Sequence, residues 1–308
     1  MNGKPKIGFL IYDSRSGSTL LASLLDEHPD VGVSFEADFL ISAMEHHQKT
    51  GFFPEDQILY EMLKADKRLS EWGIDISQVY QECTLLYQKA TVKNFLETVF
   101  NHLKRHDTSK KNAYLFIIKQ GLLTGYLESL SSLYPDAYII HIYRDGRAVY
   151  ASKKKNKNID SNLPMSNDPV KSARRWMKIQ NKISAMAKVM NICEIRYEDL
   201  IINREKQLEL IWEYLNLDSS RSPPKNSDFS YAKNLPKNQK QIHPLVGKPL
   251  DQSRISAWQS TLSLIEIWKY ERVVHRALKA RQYMPVFYSI SGMFRYMKYK
   301  KQIFKKNT

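Results

Sequence analysis

Cysteine is nearly absent from this chain. Cys83 and Cys193 are the two among 308 residues and lie far apart, which argues against a disulfide framework and predicts a reducing compartment. Long apolar runs are missing as well. No stretch approaches the ~20 apolar residues that span a bilayer, and the run from Ile7 to Tyr12 is too short, and too closely bracketed by charge, for a signal-peptide core. A cytoplasmic protein is expected. No internal repeat is visible. Nor does the chain carry the lysine that ends a nucleoside-triphosphate loop, GxxxxGK[ST]. Its Gly17 is followed by Ser18, and the nearby cation, Arg15, comes before the glycine. That weakens an ATP-dependent kinase or NTPase without removing it. His28 has no second His, Cys or carboxylate at metal-ligand spacing and reads as a turn histidine, so no metal is expected.

What is present is ordinary in bulk and unusual in charge. A chain of this length buries a substantial core, as one large α/β domain or two small ones. Hydrophobic residues make up 43% and charged residues 26%, which suits a soluble globular protein. The net charge of +15 does not. It points to anionic partners: phosphorylated ligands, acidic glycans, nucleic acid or a lipid surface.

Residues 6–28, KIGFLIYDSRSGSTLLASLLDEH, organise the rest. A short apolar run gives way to a polar turn, and then Leu20, Leu21, Leu24 and Leu25 repeat at helical spacing. The pattern predicts a buried strand, a tight loop and a helix start. The first turn of a helix offers unpaired N–H groups and the positive end of a dipole, and so receives anions. Gly17 permits close backbone approach, Ser16, Ser18 and Thr19 add hydroxyls, and Arg15 adds a planar cation. The stretch reads as a phosphate cradle.

Further strands are expected at Val31–Phe35, Tyr114–Lys119, Ala137–Tyr143 and Ile192–Tyr197, with a helix over Leu122–Leu133. Continuously apolar strands separated by helices imply a parallel sheet flanked by helices. Residues 39–105 carry helical patterns at Phe39–His47, Glu55–Asp66 and Val92–Lys104, which read as a helical insertion after the first βα unit and a wall for an acceptor. Residues 218–250, rich in Ser, Pro, Lys and Asn, read as a long loop. Helices follow near 255–260 and 262–280. One domain is expected over 1–285.

A second constellation, Arg144-Asp145-Gly146-Arg147-Ala148-Val149-Tyr150-Ala151-Ser152, directly follows a strand. Ligands of open α/β sheets bind beyond the carboxyl ends of strands. If Gly146 starts a helix, Arg144 and Ser152 could grip one phosphate, with Asp145 as orienter or cap. The following Lys153-Lys154-Lys155 is expected to be a solvated helix end.

SRSGSTLL after the first strand and YRDGRAVYAS after a later one resemble the two cofactor loops of sulfotransferases that use 3′-phosphoadenosine 5′-phosphosulfate (PAPS). The first resembles the 5′-phosphosulfate loop and the second the 3′-phosphate loop, with Arg144 and Ser152 at the family's spacing. Arg15, where many cytosolic members carry Lys, and DEHPDVGVSFE are similar to the tyrosylprotein and bacterial branches. Weaker matches run through Lys119, IRYEDL at 195–200 and VGKPLDQSRISAW at 246–258.

The resemblance implies a P-loop-like fold, PAPS as donor, the bisphosphate PAP as product and a hydroxyl acceptor. Arg15, Ser16, Gly17, Ser18, Thr19 and Leu20 would hold the 5′ end, and Arg15 would also stabilise the leaving charge. Arg144 and Ser152 would hold the 3′-phosphate. Glu36 falls where the tyrosylprotein enzymes keep their general base, with Asp38 the nearest rival. Tyr197 matches a tyrosine near the nucleotide and reads equally as core. Lys248 and Arg254 match the late basic segment, and Trp258 reads as packing.

The acceptor is left open between glycan, lipid, peptide and small-molecule alcohols, the basic balance favouring an anionic one. Residues 286–308 hold one Arg, five Lys and no acid, and so supply +6 of the charge. With Phe287, Ile290, Phe294 and Met297 near one helical face they resemble a membrane-surface segment, and a basic peripheral module is the non-enzyme alternative. A nucleic-acid partner is not expected, since no recognition motif accompanies the charge.

Overall fold

A computed structural model describes residues 4–157, 161–221, 250–288 and 292. The chain divides into two compact units, residues 1–143 with 186–249 and residues 144–185 with 250–308.

The first unit is built on five parallel strands in the order β2-β3-β1-β4-β5. These are β1 (Lys6–Tyr12), β2 (Val31–Val33), β3 (Leu115–Lys119), β4 (Tyr138–Tyr143) and β5 (Ile192–Arg196). Strands covered on both faces need apolar side chains at every position. The central strand β1 is accordingly buried from Ile7 onward, and β3 throughout. The edge strand β5 is only half buried and carries Glu194 and Arg196. It stops one residue short of the sequence expectation, because Tyr197 opens a helix (Tyr197–Ile202) whose first turn holds Glu198 and Asp199, the sign that a helix N-terminus favours. The strand expected to reach Phe35 stops at Val33.

Helix α1 (Ser18–Asp26) crosses from β1 to β2. Between β2 and β3 the insertion supplies α2 (Phe39–Thr50), α3 (Asp56–Ala65), a 3₁₀ turn (Leu69–Trp72), α4 (Ile76–Tyr87) and α5 (Val92–His106). Asp75 and Thr91 cap α4 and α5 with their side chains. The single helix expected over Leu122–Leu133 is two pieces, a 3₁₀ turn (Gly121–Gly125) and α6 (Leu127–Leu133). Gly121 starts the first piece where a Cβ would stand 2.8 Å from the Tyr12 carbonyl and ring.

The second unit is helical. Its α7 (Gly146–Lys155) and α8 (Pro169–Met186) are joined by a helix over Leu264–Ala280 that opens with a Ser263/Glu266 capping box. Trp176, Tyr150 and Tyr270 are fully buried there. Arg147, also buried, donates to both Asp145 oxygens (3.0 and 2.7 Å) and to Glu271 (2.6 Å). Glu271 in turn accepts the Val286 and Phe287 N–H groups at 2.8 Å. Two helices expected near 255–260 and 262–280 are instead three, Ser253–Ser256, Trp258–Thr261 and Leu264–Ala280.

Candidate active site

The parallel sheet gathers polar side chains at its carboxyl edge. Tyr12 is the last residue of β1 and Lys119 the last of β3, while Glu36 lies three residues beyond β2. These three strands are neighbours, so the three side chains converge. Glu36 Oε1 accepts from the Tyr12 hydroxyl and from Lys119 Nζ at 3.1 Å. Glu36 Oε2 is held by Arg68 from the insertion, and Trp72 Nε1 donates to the Glu36 carbonyl at 3.1 Å. Lys119 is buried, at 3% exposure. Burial pushes the Glu36 carboxyl up, but Lys119, the Tyr12 hydroxyl and Arg68 outweigh it and bring its pKa down to about 2. Asp38, at the N-cap of α2, meets Arg68 Nε at 3.1 Å. Burial raises its pKa against the pull of Arg68, with Asp66 and Glu36 adding to the rise.

The loop after β1 turns tightly, with Ser16 N–H on the Asp13 carbonyl at 3.2 Å. Arg15 and Gly17 both take left-handed backbone conformations, φ 73° and 94°. A β-carbon at Gly17 would collide with the Tyr197 ring, so the glycine is required twice over. Helix α1 starts at Ser18 with no side-chain cap and no acid in its first turn. Ser16, Ser18 and Thr19 are buried, whereas Arg15 and Leu20 are partly exposed. A partly exposed cation, three hydroxyls and an uncapped helix start suit a phosphate-bearing group.

Tyr197 is 7% exposed and lies against Gly17. In the second unit Arg144 donates to the Arg254 carbonyl at 2.6 Å, and its own carbonyl accepts from Trp176 Nε1 at 3.0 Å. Asp145 caps α7 through the Arg147 N–H (2.9 Å), the cap role expected of it, and pairs with the Arg147 guanidinium. Ser152 lies six residues into α7, partly exposed. Trp258 packs under the Arg147 guanidinium, 4.1 Å from its ring centre. The lysine run differs from expectation: Lys153 is buried and Lys154 pairs with Glu266 at 2.7 Å. A helix face turned inward takes one lysine of three with it. Lys248 lies outside the described residues.

His28 is structural, as expected of a turn histidine. Fully buried, it accepts the Asp30 N–H at Nδ1 (3.2 Å) and donates from Nε2 to the Asp218 carbonyl (3.1 Å). Sequence reasoning missed Arg68 and Tyr12. Tyr12 is visible as the polar-ended last residue of a buried strand. Arg68 sits in KADKR with no periodic signal.

A family model described as "Sulfotransferase family" matches residues 13–221. Two solved structures are similar in fold. One is a sulfotransferase domain from the olefin synthase of Synechococcus PCC 7002, 20% identical, covering 88% of this chain and 96% of that one at a TM-score of 0.52. The other is a sulfotransferase domain from the curacin biosynthetic pathway, 18% identical, covering 89% and 97% at a TM-score of 0.55. Among curated proteins no sequence matches.

Proposed function

The chain belongs to the sulfotransferase family, and from that premise we propose that it carries sulfate from PAPS to an acceptor hydroxyl with Glu36 as general base. The observation that carries the reading is the loop over Arg15–Thr19, whose two left-handed residues open an uncapped helix. The donor supplies a sulfuryl group already activated by its bond to a 5′-phosphate. Arg15, the Ser16–Thr19 hydroxyls and the N–H groups of the first turn of α1, with Leu20 at its edge, hold that phosphate. They also offset the charge that grows on it as the bond to sulfur breaks. Tyr197 fixes the loop by lying on Gly17. Arg144 and Ser152 bind the 3′-phosphate, an assignment supported by their match to the family's second loop. Lys248 is assigned to the cofactor on its sequence match alone.

Glu36 takes the acceptor's proton. Its pKa of about 2 keeps it unprotonated throughout the neutral range, while the cations that lower that value also weaken it as a base. Lys119 and Tyr12 fix one oxygen from the rigid sheet, which sets the direction of the other. No helix among the described residues is long and apolar enough to cross a membrane. A peripheral contact through residues 286–308 remains a proposal from the sequence.

Calorimetric binding tests the reading. The protein should bind adenosine 3′,5′-bisphosphate more tightly than ATP, without magnesium. Equal or tighter binding of magnesium-ATP would favour a kinase or NTPase and overturn it.

A further inference from the structure

Arg68 covers Glu36 Oε2, while Tyr12 and Lys119 hold Oε1. Its guanidinium spans two carboxylates, with Nη1 on Glu36 Oε2 and Nε on Asp38 Oδ2 at 3.1 Å. The side chain is 40% exposed while its backbone is pinned: the Arg68 N–H donates to Asp66 Oδ1 at 2.8 Å, and Asp66 Oδ2 takes the Phe39 N–H at 2.8 Å. Asp38 and Asp66 line a cleft of about 520 Å³ between α2 and α3. Its apolar wall is Phe39, Ile58, Met62 and Ala65, with Ser42, Gln57 and Glu61 also lining it, and Ile58 is 51% exposed. An apolar cleft thus starts one guanidinium away from the candidate base. A larger cleft of about 680 Å³ is set apart by Trp72, whose indole meets the Glu36 carbonyl rather than its carboxylate. That cleft includes the Asp26–Lys110 pair and shares neither Asp38 nor Asp66.

We propose that the α2–α3 cleft holds the acceptor's chain, that the acceptor is a primary alcohol on an unbranched hydrocarbon chain, and that Arg68 leaves Glu36 for Asp38 as the hydroxyl arrives. The proposal rests on Glu36 being the base. Charge supports a neutral acceptor here, unlike the anionic one suggested by the whole-chain balance. Arg68 and Lys119 already match Glu36 and Asp38, and Asp66 and Glu61 in the cleft add negative charge, which disfavours an anionic acceptor. When Arg68 turns, Asp38 keeps it paired and the alcohol O–H replaces it on Oε2. No buried charge is left without a partner. The alcohol oxygen then bonds to sulfur, the sulfur–phosphate oxygen bond breaks with its electrons staying on the 5′-phosphate, and the proton goes to Glu36. The product is an alkyl sulfate.

The test is transfer from PAPS by the full chain to straight-chain primary alcohols from n-butanol to n-decanol. We expect kcat/KM to rise about threefold to fourfold per methylene until the cleft is full, as burial of each CH₂ dictates. Ile58→Asp, at an exposed position, should flatten that slope, and Ala65→Trp should bring the plateau to a shorter chain. A second readout follows Arg68. The acid limb of kcat/KM reports the free enzyme and that of kcat the complex, so in the wild type the kcat limb should lie at higher pH, and Arg68→Ala should bring the two together. A flat chain-length series with turnover still lost in Glu36→Gln would overturn the chain and leave the base. Wild-type rates in Glu36→Gln would remove the base itself. Coincident limbs in the wild type would overturn the movement of Arg68.

Discussion

Glu36 is gripped by Lys119, Tyr12 and Arg68 at a sheet edge, and a carboxylate so held bears on stability and, as the proposed base, on chemistry. Its folded pKa of about 2 lies below the ordinary 4.5, so its contribution to stability is present above pH 4.5 and is lost as pH falls toward 2. Melting temperature should drop across that window, and Glu36→Gln should remove this part of the slope while lowering stability at neutral pH, because it leaves two cations without their shared anion. For chemistry, Glu36→Gln should lower kcat by about 10²–10⁴, the range for a lost general base. Near-normal turnover would take the role from it. Arg15→Ala should cost about 10²–10³ in kcat, as removing a group that stabilises leaving charge does. A change confined to KM would assign Arg15 to ground-state binding alone. The roles proposed for both positions come from the sequence, where a motif surrounds each. Arg68 was not legible there, because it reaches Glu36 across 32 residues of insertion.

At the scale of elements, the loop after β1 depends on a close approach. Gly17→Ala places a methyl group against Tyr197 at φ 94°, so the variant should lose both stability and affinity for adenosine 3′,5′-bisphosphate. Adding Tyr197→Ala should recover part of the loss, as a double-mutant cycle by calorimetry would detect. Additive losses would mean that backbone strain alone is at work. Helix α1 ends on a second constraint. Glu27, nearly buried, follows its last residue, where a negative charge also opposes the helix dipole. Burial raises its pKa to about 7 despite Arg204, 2.8 Å away, with Asp26 adding to the rise. A carboxyl raised in the fold stabilises fully below pH 4.5, and that contribution disappears as pH rises through 7. Glu27→Gln should therefore melt a few degrees higher than wild type at pH 8 and no higher at pH 5. Equal melting at both would show that Arg204 offsets the buried charge in full. The strands and this loop were legible because burial on both faces writes an unbroken apolar run. Helix α4 was not: Leu85 and Leu86 are exposed while only Val79 and Cys83 are buried, so its apolar residues mark no single face. Helix α6 was merged with the 3₁₀ turn before it, since the close contact of Gly121 with Tyr12 joins residues more than a hundred positions apart.

For the whole molecule, the charge and the last residues bear on one another. The sequence places the end of the folded domain at residue 285. The second unit moves that boundary. Glu271 is fully buried and accepts the Val286 and Phe287 N–H groups while holding Arg147, and Phe287 is buried. A cut before Val286 would leave one oxygen of a buried carboxylate with no donor and the other with Arg147 alone, at a cost of about 1–3 kcal/mol or more for a charged group. A cut after Gly292 spares those contacts, keeps the buried Gly292 beside Val286 and Phe287, and still removes Arg295 and the five lysines, taking +6 from the net +15. The chain ending at Gly292 should keep the wild-type melting temperature and rate of sulfate transfer. It should also lose binding to vesicles containing anionic lipid, measured by sedimentation at low salt, since each basic residue near such a surface contributes about 1 kcal/mol. Transfer lost at unchanged melting temperature would make the last residues part of the chemistry. Vesicle binding retained would move the membrane contact to the remaining +9 of the chain.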